Sequence, residues 1–349
     1  MGGLLYKITR KDFFDLLGRL MGRNRVFVPS RTGTHLTFCE FSIAKEDSIE
    51  LGGFRQSQPA RSFLSPAREG VTRPSSGEGL PVILVGVKAC DIASLDLQDF
   101  VFLGGDSIDP FYEKNRRDLF LMASDCTYAK ETCFCLAMDG QPYPKGNFDI
   151  LLSPLPDDIV VEARSEKGAK LISDFRTFFK DADRTDLEAR EEIRQRVTSE
   201  VNGFVGNRGT PKVSSIMGRM KEFYNNVQFW QEASSTCVEC GACNFVCPTC
   251  HCFLLSDDNS NAGNSRSRIW DSCLYRTFAR VAGGANPRRH LYERLRNRFD
   301  KKFDFFPQVI KCFACTGCGR CVEACPGKID VREVLKAIAA GKWNKPPHK

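Results

Sequence analysis

The sequence predicts an α/β domain over residues 1–205 followed by a mainly α-helical domain over residues 206–349. Two apolar, β-rich runs, 81–87 and 119–123, flank a stretch of helical length, the pattern of a strand–helix–strand unit with a buried parallel sheet. Strand-like runs largely disappear past residue 205, where 12 of the 17 cysteines lie. The 349 residues fit two or three domains at roughly 150 residues each. With 42% hydrophobic and 27% charged residues, the chain reads as folded rather than disordered.

The elements follow in order. Residues 9–21 are expected to be helical: Thr9 and Asp12 resemble a capping box, and Phe13, Leu16, Leu17 and Leu20 share one face. Val26-Phe27-Val28 before Pro29 reads as a short strand. Residues 55–79, rich in Arg, Ser, Pro and Gly, read as a long surface loop. The run from Pro81 to Val87 is a strand buried on both faces, Ile92 to Phe100 the helix after it, and Leu119 to Ala123 the next strand. Residues 148–163 add strand-like runs and 166–180 a helix. Residues 186–202, charged with a thin apolar stripe (Ile193, Val197, Val201), read as a solvated connecting helix.

The first twelve residues carry no apolar core of a secretory signal, and the longest apolar run, Leu80 to Val87, is far short of a membrane span. The expectation is a cytoplasmic chain, where clustered cysteines serve metal or redox chemistry rather than disulfides.

Two runs carry that chemistry. Cys237, Cys240, Cys243 and Cys247-Pro248 have the spacing C-x2-C-x2-C-x3-C-P, and Cys315, Cys318, Cys321 and Cys325-Pro326 repeat it. This is the spacing of a ferredoxin domain with two [4Fe–4S] clusters, in which the fourth cysteine of each run ligates the other cluster. The expected sets are therefore Cys237, Cys240, Cys243 and Cys325 for one cluster, and Cys315, Cys318, Cys321 and Cys247 for the second. Gly241 and Gly319 let the loops wind tightly, and a proline suits the helix start after the fourth cysteine. Structural zinc prefers two C-x2-C pairs per ion, and a radical-type reading of Cys243, Cys247 and Cys250 fails because no barrel-like series follows.

Between the runs, from Arg266 to Lys302, eleven Lys or Arg face three acidic residues. Nucleic-acid binding is one reading of such a stretch. Charge compensation of two anionic clusters and docking of a partner are preferred, since no nuclease or Walker-type motif accompanies it. Cys90 and Cys126 follow the two central strands at the sheet edge where α/β folds build sites, with Cys133 and Cys135 in the loop after. These four are candidate ligands of a third metal site, another [4Fe–4S] cluster or zinc. Cys250, Cys252 and Cys273 are unassigned candidate ligands. His251, between the first two, is expected to point away. Cys39 is expected to be a buried thiol and Cys312 an extra one, and nucleophilic catalysis has no support.

With these residues in view, the chain resembles the beta subunit of cytoplasmic NAD(P)-linked nickel–iron hydrogenases, the sulfhydrogenases, and equally the A subunit of anaerobic sulfite reductase. The resemblance rests on Gly86-Val-Lys-Ala-Cys-Asp-Ile-Ala-Ser-Leu95, Glu131-Thr-Cys-Phe-Cys135 and Cys247-Pro-Thr-Cys-His-Cys252. It continues through Trp270-Asp-Ser-Cys273, Val281-Ala-Gly-Gly284 and the second cysteine run, with Phe63-Leu-Ser-Pro-Ala-Arg-Glu69 as a weaker match. It implies a helical ferredoxin domain that relays electrons between a flavin or NAD(P) subunit, or another redox subunit, and a catalytic subunit. That subunit belongs to a hydrogenase, a sulfite or sulfur reductase, or a heterodisulfide-reductase-linked complex. It also implies that the N-terminal cysteines and Cys250, Cys252 and Cys273 are more than buried thiols. Cys312 and the loop 70–79 depart from the family pattern. The rival reading is a self-contained iron–sulfur thiol or disulfide reductase.

Overall fold

The computed structural model describes residues 5–72, 79–260 and 263–342, so most of the Pro/Ser/Gly-rich loop 70–79 lies outside the described residues. The chain forms two compact units. The first comprises residues 1–65, 74–131 and 140–201, and the second residues 66–73, 132–139 and 202–349. Two short segments of the N-terminal half thus belong with the C-terminal residues.

In the first unit, β1 (Leu5–Thr9) leads into α1 (Arg10–Leu20), where the Thr9 hydroxyl accepts from the Asp12 amide at 3.1 Å. A hairpin follows, β2 (Arg25–Thr32) and β3 (His35–Glu40), while β4 (Arg68–Gly70) goes with the second unit. Then come β5 (Val82–Val87), α2 (Ala89–Leu103), α3 (Pro110–Asp118) and β6 (Leu119–Ser124). The unit continues with β7 (Ile150–Pro154), β8 (Asp158–Ala163), α4 (Glu166–Asp174), β9 (Lys180–Asp181) and most of α5 (Arg184–Arg208).

The sheet has eight strands in the order β3-β2-β5-β6-β7-β8-β1-β9. Its centre, β2-β5-β6-β7, is parallel, and its flanks are antiparallel. Ile83, Val85, Met122, Ile150 and Leu152 pack with the α1 face. Leu84, Val87, Leu121, Ala123 and Leu151 pack with Ile92, Leu95 and Phe102 of α2. Continuous apolar runs therefore arise because both faces of the sheet are covered.

The surface-loop reading of residues 55–79 is corrected over its first part. Gln56, Ala60, Arg61 and Leu64 are buried. Gln56 donates to the Gly86 carbonyl at 3.0 Å, and the Ala60 amide donates to buried Asp91 at 2.9 Å. Polar composition misled because these groups meet protein partners instead of water.

Asp125, at the end of β6 and 2% exposed, accepts from Arg194 of α5 at 2.8 and 3.3 Å and from the Ser153 hydroxyl at 2.7 Å. Arg194→Ala leaves this carboxylate buried with one partner fewer and is expected to cost about 3–5 kcal/mol. The urea midpoint measures it, and Asp125→Asn combined with Arg194→Ala should recover part of the loss; equal loss in the double variant would contradict the ion-pair account.

The second unit contains α6 (Arg219–Tyr224), α7 (Val227–Ser234), the short α8 (Ala242–Phe245) and a hairpin of β10 (Phe253–Ser260) and β11 (Gly263–Trp270). It ends with α9 (Leu291–Asp300), a π-helical turn Lys301–Phe305, α10 (Phe306–Ile310), α11 (Arg320–Glu323) and α12 (Val331–Ala340). Its core surrounds fully buried Trp230, whose indole N–H donates to the Phe223 carbonyl at 2.8 Å, with Phe299, Phe303, Leu335 and Ile338. The expectation that strands largely disappear here is corrected by the hairpin, which forms a three-stranded sheet with β4. Phe253, Leu254 and Leu255 are all exposed, so neither face imposes the period-two pattern that marks a strand.

Candidate metal centres

Both cysteine runs are irregular loops ending in a single helical turn. Gly241 and Gly319 cap α8 and α11 with φ of 72° and 75°. A Cβ on Gly319 would sit 2.2 Å from the Thr132 carbonyl oxygen, and one on Gly241 would sit 2.9 Å from the Tyr275 hydroxyl. Conformation and close approach both require glycine. The segment 132–139 thereby seats against the second loop, where the Phe134 amide donates to the Gly317 carbonyl at 2.8 Å.

The thiols gather around two cavities. One, of about 430 Å³, is lined by Cys247, Cys315, Cys318 and Cys321. The other, of about 560 Å³, is lined by Cys237, Cys240, Cys243 and Cys325, with Cys321 at their common edge. Four thiols around one cavity form the donor set of a [4Fe–4S] cluster, and the residues present fit two such groups. None of the seventeen cysteines is in a disulfide.

The basic insert turns part of its charge inward. Arg294, Arg298 and Lys302 recur every four residues along α9 and the turn after it, and all three are buried. Arg294 donates to the Leu274 carbonyl and to Glu239 at 2.9 and 2.8 Å. Arg298 lines both cavities, donating to the Cys243 carbonyl at 3.1 Å and to the Cys250 sulfur at 3.5 Å. The Lys302 ammonium donates to Thr249 and to the Ala314 carbonyl at 2.7 and 2.8 Å, with the Cys247 sulfur at 3.5 Å. Sequence reasoning placed compensating charge in this insert but did not single out these residues; their four-residue spacing was the available signal.

Burial pushes the Cys243 thiol up to about 11 and Cys315 to about 12, against the opposing pull of Arg298 and Lys302 respectively. Burial also raises Cys321. Cys247 moves the other way: a hydrogen bond from Cys250 lowers it, outweighing burial, and Lys302 and Arg298 add to the effect. Buried thiols without a cation stay protonated, so binding a metal here releases protons, and these two side chains ease the step.

The other cysteines divide. Cys90 opens α2 and Cys126 follows β6, both in the first unit, whereas Cys133 and Cys135 belong to the second. The fully buried Lys88, within electrostatic reach of both Cys90 and Cys126, donates to the Leu51 and Asp125 carbonyls at 2.7 and 2.9 Å; burial lowers its ammonium to about 8, with Cys126 the strongest opposing group. Cys250, Cys252 and Cys273 line a further cavity in the second unit, of about 310 Å³. His251, expected to point away, lines it too. Cys312 and Cys39 line none of these cavities.

Two comparisons bear on this arrangement. A family model described as a 4Fe-4S dicluster domain matches residues 236–329, which include both cysteine runs. Sulfhydrogenase 2 subunit beta of Pyrococcus furiosus is 30% identical over 342 residues, covering 96% of this chain and 98% of that protein. With a sheet-rich N-terminal unit, a C-terminal dicluster domain and similarity along nearly its whole length, the chain belongs to the family of sulfhydrogenase beta subunits.

Proposed function

We propose that the chain is the iron–sulfur electron-transfer subunit of a hydrogenase-type complex. It holds two [4Fe–4S] clusters with exchanged fourth ligands, Cys325 completing the Cys237, Cys240 and Cys243 set and Cys247 the Cys315, Cys318 and Cys321 set. The observation that carries this is the pair of thiol-lined cavities that share Cys321 and Arg298, which brings two one-electron carriers side by side. When bound, the clusters supply single-electron storage, while hydride and two-electron chemistry belong to partners: a flavin/NAD(P)-binding or other redox subunit on one side and a catalytic subunit on the other. The chain's own residues fix the ligand loops, bury the clusters and hold Arg298 and Lys302 against them. Among the described residues no helix is long and apolar enough to cross a membrane.

The test is anaerobic purification of the chain by itself. Its clusters should accept electrons from dithionite and pass them to an added carrier, with no oxidation of hydrogen and no reduction of sulfite. Turnover of either substrate by the isolated chain would overturn the relay reading.

A further inference from the structure

Among the cysteines of the second unit that lie outside both cubane sets, the fold brings three together: Cys250, Cys252 and Cys273. Cys250 follows the turn of Cys247, its amide donating to the Cys247 carbonyl at 3.4 Å. Strand β10 begins directly after Cys252, and β11 ends at Trp270, paired with Phe253. The Asp271 amide then donates to the Cys252 carbonyl at 3.0 Å. The hairpin therefore acts as a clasp that returns Cys273 to the side of Cys252. We propose that Cys250, Cys252 and Cys273, with His251, hold a third iron–sulfur cluster ligated by three thiolates and one imidazole.

All four residues line the same cavity, together with Arg298 and Lys302. Cys250 and Cys273 are 8% and 6% exposed, and Cys252 and His251 are half-buried. Donors already point at its sulfurs: the Asn244 amide side chain reaches Cys273 at 3.1 Å, and Arg298 reaches Cys250 at 3.5 Å. Such donors stabilise thiolates and the added charge of a reduced cluster. His251 presents Nδ1 to the Thr249 carbonyl at 3.3 Å. A carbonyl only accepts, so Nδ1 carries the proton and Nε2 the lone pair, the arrangement by which ligating histidines are oriented. Three thiolates and an imidazole also suit a single zinc ion, which would draw its sulfurs to about 3.8 Å of one another. Among the described residues, however, no three such groups are gathered as one ion requires. A [4Fe–4S] cluster is preferred over zinc because the two cavities beside it, which share Arg298 with it, are read as holding such clusters, and the metal count separates the two.

This inference rests on the dicluster reading, and the experiment separates the two. The full chain is prepared anaerobically as wild type, as the double variant Cys252→Ala/Cys273→Ala and as His251→Cys. Wild type should hold about twelve irons and the double variant about eight, at four per cubane. Pulsed paramagnetic resonance of the reduced wild type should show an imidazole nitrogen coupling. His251→Cys should lose that coupling and keep the iron, with a lower potential for this cluster because a thiolate replaces a neutral ligand. Persistence of the two cubane signals shows that the variants fold; if the double variant does not, the wild-type count and His251→Cys decide. Eight irons in the wild type with both cubane signals overturns the third cluster alone, and fewer than eight fails the dicluster reading. Eight irons with one zinc, or twelve that fall to eight with Cys90→Ser or Cys133→Ser but not with the double variant, also overturns it.

Discussion

Cys247→Ser is expected to damage the cluster of Cys315, Cys318 and Cys321 and to spare that of Cys237, Cys240 and Cys243, its neighbours in sequence. Cys247 is 8% exposed and lines the cavity of the distant triplet, with Lys302 at 3.5 Å from its sulfur and the Thr249 hydroxyl at 3.2 Å. A serine oxygen is a harder donor that deprotonates far less readily than a thiol, so one iron loses a proper ligand. The expected result is loss of up to about four irons per chain, with one reduced-cluster signal missing or altered and the other intact. Iron analysis and paramagnetic spectra of the dithionite-reduced variant measure it. Cys325→Ser should give the mirror-image pattern. Damage confined to the Cys237, Cys240 and Cys243 cluster would mean that each run closes its own cluster.

Arg298→Met is expected to lower the potentials of the clusters beside it. The guanidinium lines both of the cavities proposed to hold the two clusters and is held by the Cys243 carbonyl at 3.1 Å. Reduction adds negative charge, so a fixed cation favours the reduced form and its removal moves the potential down. A unit charge at roughly 5 Å in an effective dielectric constant of about 20 is worth about 3 kcal/mol. For a one-electron couple that is on the order of 140 mV. Arg298→Lys keeps the charge and should lose much less, so a redox titration of both variants separates charge from packing. Because a guanidinium stays protonated at all working pH values, the difference should not vary with pH. An unchanged potential in Arg298→Met, with the clusters intact, would show that Lys302 and the backbone amides carry the compensation.

How much of this was legible depended on how local each signal is. The ligand runs are short, repeated, and punctuated by Gly and Pro, so their chemistry stands in the spacing itself. The strands β5 and β6 announce themselves by continuous apolar runs, because burial on both faces leaves no polar positions. Residues 55–65 read as solvated loop, since composition does not reveal that Gln56 and Ala60 find partners in the Gly86 carbonyl and Asp91. The β10–β11 hairpin was hidden because its apolar side chains at 253–255 are exposed. Alternation along the chain turns His251 away from Cys250 and Cys252, but that rule belongs to extended strands and a turn need not obey it.

The sequence by itself determined that two cysteine runs repeat one ferredoxin-type spacing, and that the N-terminal half builds a sheet, because both follow from spacing and period along the chain. Only the tertiary structure decided that segment 132–139 seats against the Cys315–Cys321 loop, that the hairpin returns Cys273 to Cys252, and that Arg298 meets three thiol-lined cavities. Each of these joins residues far apart in the chain. Such contacts are selected by the burial and hydrogen bonding of the whole unit, which no window of sequence contains.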